Sequence, residues 1–332
     1  MTKRTRMDMA LKKIHEKDPM WMFPTKVNDY TFCPGLFEDR WLNGIEMKKS
    51  EKMVIGHDIH EIAFWFYKSI EDEKKIKKYL ADSFNKGYDE GFLAVQTIYE
   101  HVVPEGVKKD KILLNMIYNH AIMESVRMYN LKRYISEPLR VQHVEMYFIP
   151  VLVEHKFTIE RFEKFDGREK EKGVLDRLDR MPPGYKFNGK EIKFFVGEYK
   201  SSTPLDYKRW AKLSDAEKKK KKLKLKTRYR RQLSFYVDFC IEYFKNEDLN
   251  RDDFGVFVAF LDTGVLIPEI LSKRTYNSRD KLVNKIRGEI ELWEQGNYHL
   301  PYKPYYRKCE ECGRKDGCPE YSERKGFMKG EL

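Results

Sequence analysis

Apolar positions along the chain change texture near residue 141. Upstream they recur at intervals of three and four. Gly56 to Tyr67 crowds its apolar residues onto one side, and Leu113, Met116, Ile117, Ala121 and Met128 continue the stripe with Glu124 interrupting it. That spacing predicts amphipathic helices through about residue 139. Thr25 to Trp41, carrying Tyr30, Phe32, Cys33, Leu36 and Phe37, reads as a helix and turn with one buried face. Downstream, Met146–Val153 and Lys156–Ile159 read as strands with Pro150 at an edge or bulge, and Leu175–Leu178 and Ile192–Tyr199 as two more around the Pro182-Pro183-Gly184 turn. A mostly antiparallel meander is expected. Ser214-Asp215-Ala216-Glu217 is a capping-box start for one long helix to about Phe244, striped by Tyr229, Leu233, Tyr236, Phe239, Cys240 and Tyr243. Phe254–Leu261 returns as a strand and Ser278–Trp293 as a last helix. No repeat of solenoid period occurs.

Composition sharpens this α/β picture. A chain of 332 residues with 41% hydrophobic content can bury a large core. No apolar run approaches the roughly 20 residues a bilayer requires. Met1 to Arg6 is basic, but no signal-peptide core follows it, so a cytoplasmic protein is expected. The net charge of +12 favours a polyanionic partner. Much of it lies in Lys218–Lys222, Lys224, Lys226, Arg228, Arg230 and Arg231. Such a run is either a solvated face or a phosphate-contacting one; in the second case Lys218, Lys222, Lys226, Arg228 and Arg231 are candidate DNA contacts, and binding would fall with salt.

Candidate chemistry concentrates between Gly173 and Lys200. Asp176 ends one apolar strand and Glu198-Tyr199-Lys200 lies on the next. Glu198 and Lys200 share a face by strand alternation, whereas Asp176 and Asp179 face opposite sides. Taken alone, a Glu-x-Lys tripeptide is equally a surface ion pair. His57 and His60 share a helix face, yet the HExxH pattern of zinc proteases is absent, as is the Walker pattern of nucleotide-driven motors. Cys309-x2-Cys312-x5-Cys318 near one end and Cys33 near the other suit a metal centre better than disulfides, while Cys240 on the apolar stripe reads as core.

Together, Gly56-x3-His60-Glu61, Gly173-x2-Asp176, Glu198-x-Lys200 and Gln232-x3-Tyr236 resemble, in order and in element, the RecB-like nucleases of the PD-(D/E)XK superfamily. Cys33 with Cys309, Cys312 and Cys318 is similar to the iron-sulfur branch, which includes CRISPR-associated exonucleases, the AddB nuclease domain and archaeal virus and plasmid relatives. Leu175 replaces the usual proline before the motif aspartate. The helical region and the lysine-rich segment look like additions to that pattern.

The resemblance implies a restriction-endonuclease-like α/β core with a mixed sheet flanked by helices. It implies an N-terminal segment over 1–50, a helical region with the motif histidine over 51–140, a nuclease core over 141–300 and a cluster segment over 301–332. It further implies Mg²⁺ or Mn²⁺ on His60, Asp176, Glu198 and the Tyr199 carbonyl, with the Gly-x3-His register preferring His60 to His57. Lys200 would orient or deprotonate water or stabilise the phosphate oxygens, Gln232 would hold a water or phosphate, and Tyr236 would contact the strand or pack under the sheet. The four cysteines would hold a [4Fe-4S] cluster, although four thiolates satisfy zinc as well. The implied activity is a DNA exonuclease acting 5′ to 3′ on single-stranded ends in CRISPR adaptation, recombination and repair or mobile-element processing, with protein partners or self-association. The alternative is a non-catalytic iron-sulfur nucleic-acid-binding subunit on the same fold.

Overall fold

The computed structural model describes residues 20–45, 51–107, 110–160, 170–296, 298–302, 309, 312, 317, 318, 320 and 321. The chain divides into two compact units, one of residues 51–157 and 174–272, the other of residues 1–50, 158–173 and 273–332.

In the first of these, helices α2 (Glu51–Asp72), α3 (Lys74–Lys86), α4 (Tyr88–Val102) and α5 (Lys111–Tyr134) form a layer. The α2 face made by Ile59, Ile62, Ala63, Phe66, Tyr67 and Ile70 is buried. These positions repeat at three and four residues, as the 3.6-residue period requires. Asp110 caps α5 by accepting from the backbone N–H of Ile112 and Leu113. Against this layer packs a sheet of β1 (Leu152–Glu160), β2 (Lys170–Arg180), β5 (Phe194–Lys200), β6 (Phe254–Phe260) and β7 (Val265–Glu269) in that order. The short hairpin β3 (Lys186–Phe187) and β4 (Lys190–Glu191) fills the interval between β2 and β5.

The pair β5 and β6 is parallel, with antiparallel neighbours on both sides, so the sheet is mixed rather than a meander. Burial on both faces explains the unbroken apolar reading of β6. Phe195, Tyr199, Phe257 and Ala259 face the α2–α5 layer and belong to its core. Two reciprocal pairs fit this face: an added Cβ on Gly197 would lie 2.2 Å from the Phe257 ring, and one on Gly255 2.3 Å from Phe195. The other face carries α8 (Thr227–Tyr243), whose Tyr229 meets the Phe260 ring.

Two sequence expectations are corrected here. Met146–Val153 is not a strand: residues 141–148 are helical turns and β1 begins at Leu152, because Phe148 and Val144 are buried on one side at helical spacing. The single helix from 215 to 244 is two, α7 (Asp215–Lys220) and α8, following α6 (Leu205–Ala211). The like charges of the lysine run oppose continuous helix. Its carbonyls are taken elsewhere, with Trp210 Nε1 donating to Lys221 O and the Tyr207 hydroxyl to Lys224 O. Strand β7 and helix α6 were not anticipated.

In the other unit, α1 (Pro24–Phe32) ends at Cys33, which is extended because Pro34 follows. Helix α9 (Lys273–Glu294) packs on α1. The segment after Cys33 meets residues 299–302: Glu38 accepts from Leu300 N–H and pairs with His299, the Tyr302 hydroxyl donates to Asp39, and Gly35 N–H donates to Pro301 O. A side chain at Gly35 would strike the Tyr302 ring at 2.5 Å. Among the described residues no helix is long and apolar enough to cross a membrane.

Candidate active site

Strand alternation sends Asp176 to one face of β2 and Arg177 and Asp179 to the other. The pairing of Arg177 with Gly197 and of Asp179 with Phe195 puts these two side chains on the α2–α5 face. Asp176 instead joins Glu198, both nearly inaccessible to solvent. Asp176 Oδ2 accepts from Tyr199 N–H at 2.8 Å, which ties the motif strands together. His60 projects from α2, its Nδ1 lying 3.8 Å from Asp176 Oδ1. One turn earlier, a Cβ on Gly56 would come 3.2 Å from Ser201 Oγ. The glycine of the Gly-x3-His motif thus lets α2 approach the chain just beyond Lys200.

Glu198 Oε1 accepts from Gln232 Nε2 at 2.6 Å and from Lys200 Nζ, and Gln232 also donates to the Tyr236 hydroxyl at 2.9 Å. The anticipated residues Asp176, Glu198, Lys200, Gln232, Tyr236 and His60 therefore meet in one cluster. His57 does not enter it; its ring nitrogens have no hydrogen-bond partner among the described residues. One member was missed. Glu154 Oε1, on β1, lies 2.7 Å from His60 Nδ1. Nothing in the alternation of Leu152–Glu160 singles it out, since its position depends on a left-handed backbone, φ 46°.

Charge in this cluster is poorly balanced. Burial first, and Asp176 next, push the Glu198 carboxyl up to about 7; burial, offset by His60, raises Asp176 to about 6. Burial opposes charge on His60, but Asp176 and Glu154 outweigh it and raise the imidazole to about 10. Lys200 is likewise raised by Glu198 and Asp176 against the effect of burial, so it is cationic at neutral pH.

Glu198 Oε2 is buried with no hydrogen-bond partner among the described residues. An orphan carboxylate oxygen in an anionic cluster calls for a cation, and carboxylates with one imidazole are a donor set suited to Mg²⁺ or Mn²⁺. Ligand atoms of His60, Glu154 and Asp176 lie within 4.8 Å of one another. A family model, the PD-(D/E)XK nuclease superfamily, matches residues 23–319. The chain belongs to the PD-(D/E)XK nuclease superfamily. No curated protein gives a significant match to it. A nuclease of this superfamily hydrolyses phosphodiester bonds of nucleic acid with a divalent metal, and His60, Glu154 and Asp176 form a group that could hold one.

Around Tyr199 the opposite face holds a second polar cluster. Arg177 Nε donates to Asp179 Oδ2 at 2.8 Å, and its Nη1 donates to the hydroxyls of Tyr67 at 2.6 Å and Tyr199 at 2.7 Å and to Glu124. Arg127 donates to Glu124 and lies 3.6 Å from Asp179. Glu124, which interrupts the α5 apolar stripe, was the available sign of this cluster.

Of the cysteines, Cys33 is buried at the end of α1, and Cys309, Cys312 and Cys318 are half-buried. Cys312 N–H donates to Cys309 O at 3.1 Å. Burial is the first cause that pushes the Cys318 thiol up, with smaller contributions from Cys33 and Cys309. Cys240 is fully buried in α8. In the basic run, Lys226 pairs with Asp206 at 2.8 Å and Lys218 lies over the Trp210 ring. Lys219, Lys220 and Lys222 are exposed and have no acidic partner among the described residues.

Proposed function

We propose that this protein is a metal-dependent deoxyribonuclease that shortens DNA from single-stranded ends. The observation that carries the reading is the buried, unpartnered Oε2 of Glu198, beside Asp176 and bonded through its other oxygen to Lys200 and Gln232. His60, Asp176, Glu198 and the Tyr199 carbonyl would hold the ion. A bound divalent cation supplies charge neutralisation at the phosphate and a more acidic water. In the hydrolysis a water oxygen bonds to phosphorus while the bond to the leaving sugar oxygen breaks, and a proton passes from water to that oxygen. Lys200, being cationic, suits stabilisation of the phosphoryl oxygens rather than proton abstraction. Gln232 holds Glu198 in place and Tyr236 holds Gln232. Lys219, Lys220 and Lys222, exposed and without an acidic partner among the described residues, suit phosphate contact, as the charge of +12 suits a polyanion.

End-labelled single- and double-stranded DNA incubated with Mn²⁺ or Mg²⁺ tests this. The wild type is expected to shorten single strands, and Asp176→Ala and Lys200→Ala to do so about 100-fold more slowly or worse. Wild-type protein that cuts nothing, or variants that cut equally well, would overturn the assignment.

Resemblance to the iron-sulfur branch supports a structural [4Fe-4S] cluster on Cys33, Cys309, Cys312 and Cys318, with zinc as the competing occupant. The effect of Cys33 and Cys309 on the Cys318 thiol is in keeping with it. Anaerobically purified protein should contain iron and sulfide and lose both in Cys33→Ala; zinc without iron would reject the cluster. The 5′ to 3′ polarity and a place in CRISPR adaptation, repair or mobile-element processing with protein partners rest on that resemblance alone.

A further inference from the structure

Glu154 stands outside the motif residues that mark the superfamily in this chain, and it comes to the site from the edge strand of the sheet. It is 94 residues from His60 in sequence, yet the two side chains meet at 2.7 Å. The same imidazole nitrogen faces Asp176 Oδ1 at 3.8 Å, and the three donor atoms lie within 4.8 Å of one another. Ligands about 2.1 Å from an octahedral ion stand about 3 Å apart when adjacent and about 4 Å apart when opposite. The 3.8 Å between His60 and Asp176 falls in that range, and the 2.7 Å between His60 and Glu154, a hydrogen-bond distance, lies just below it.

The independent sign of a ligand is Glu198 Oε2, which is buried without a partner in the same cluster. Glu198 neighbours Asp176 across strands β2 and β5, next to the Arg177–Gly197 pair, and the following residue Tyr199 donates to Asp176 Oδ2, so the orphan oxygen stands beside the carboxylate that Glu154 and His60 approach. Three carboxylates then stand against Lys200 and His60.

We propose that Glu154 is a direct ligand of a divalent cation, completing with His60 and Asp176 an oxygen-rich position on the β1 side of the centre. This rests on the reading of the cluster as a divalent-metal site. Asp176 would be the shared element, its Oδ1 turned to His60 and its Oδ2 fixed by Tyr199 N–H. Such a position prefers the hard cations Mg²⁺ and Mn²⁺, because carboxylate oxygens outnumber the single imidazole. The competing role for Glu154 is to orient His60 by hydrogen bonding while the ion is held elsewhere.

Crystals of the whole chain soaked in Mn²⁺ separate the two roles. An anomalous peak about 2.2 Å from a Glu154 carboxylate oxygen is expected. In solution, free Mn²⁺ followed by electron paramagnetic resonance should show Glu154→Gln binding about 10-fold more weakly or worse with its melting temperature retained, an effect that either role produces, so unchanged Mn²⁺ binding would overturn the inference and the map distinguishes the roles. A peak bound by Asp176 and Glu198 with Glu154 left on His60 alone would overturn the inference and leave the nuclease reading standing. If wild-type protein binds no Mn²⁺ at all, both fail. Should Glu154→Gln not fold, the wild-type map decides the question by itself.

Discussion

Two buried polar clusters share strands β2 and β5 and lie on opposite faces of them, and their difference in charge balance separates support from chemistry. On the α2–α5 face, Arg177 and Arg127 meet Glu124 and Asp179, and the hydroxyls of Tyr67 and Tyr199 take up Arg177's remaining hydrogen-bonding capacity. Cations and anions match. One residue away in each strand, Asp176 and Glu198 join Glu154 around His60 and Lys200, so carboxylates outnumber the cations and one buried oxygen has no partner. A satisfied cluster rigidifies, whereas an unsatisfied one costs stability and is kept where a ligand completes it. Tyr199 links the two: its hydroxyl is gripped by Arg177 while its backbone N–H fixes Asp176. The matched cluster therefore positions the mismatched one.

Removing a member from each cluster should have opposite consequences, and this is the largest effect expected. Arg177→Met leaves Glu124 and Asp179 buried with their main cation gone, a change that costs about 3–5 kcal/mol. Asp176→Asn takes a carboxylate from an overcrowded group and should leave stability unchanged or slightly higher. Urea denaturation of both variants reads the difference. Equal destabilisation would mean that the two faces do not differ in the way their charges suggest.

Legibility in the sequence followed the same division. His60, Asp176, Glu198, Lys200, Gln232 and Tyr236 each sit at a spacing that the superfamily pattern exposes, and strand alternation alone separated Asp176 from Asp179. The layer of helices was legible because Ile59, Ile62, Phe66 and Ile70 keep one period throughout. What escaped depends on contacts remote in sequence. Glu154 reaches His60 through a left-handed backbone that no alternation rule contains. The break between α7 and α8 depends on hydroxyl and indole donors from α6 that capture carbonyls of the lysine run. The parallel pairing of β5 with β6 is a crossover, and local pattern favours the hairpin instead.

A smaller effect probes the unsatisfied cluster directly. The Glu198 carboxyl is raised from its ordinary 4.5 to about 7, chiefly by burial and by Asp176. Between those values the folded chain keeps a proton that the unfolded chain has released, so stability should fall as pH rises from about 4.5 through 7. The full displacement corresponds to about 3 kcal/mol, and the partnership with Lys200 is lost along with the charge. Glu198→Gln, which cannot ionise, is therefore expected to be about 1 kcal/mol more stable than wild type at pH 8 in EDTA and no more stable near pH 4. Thermal melts at the two pH values measure this. A variant less stable at pH 8 would show that Glu198 is held as firmly as Asp179, and that its orphan oxygen reflects no deficit that a cation would fill.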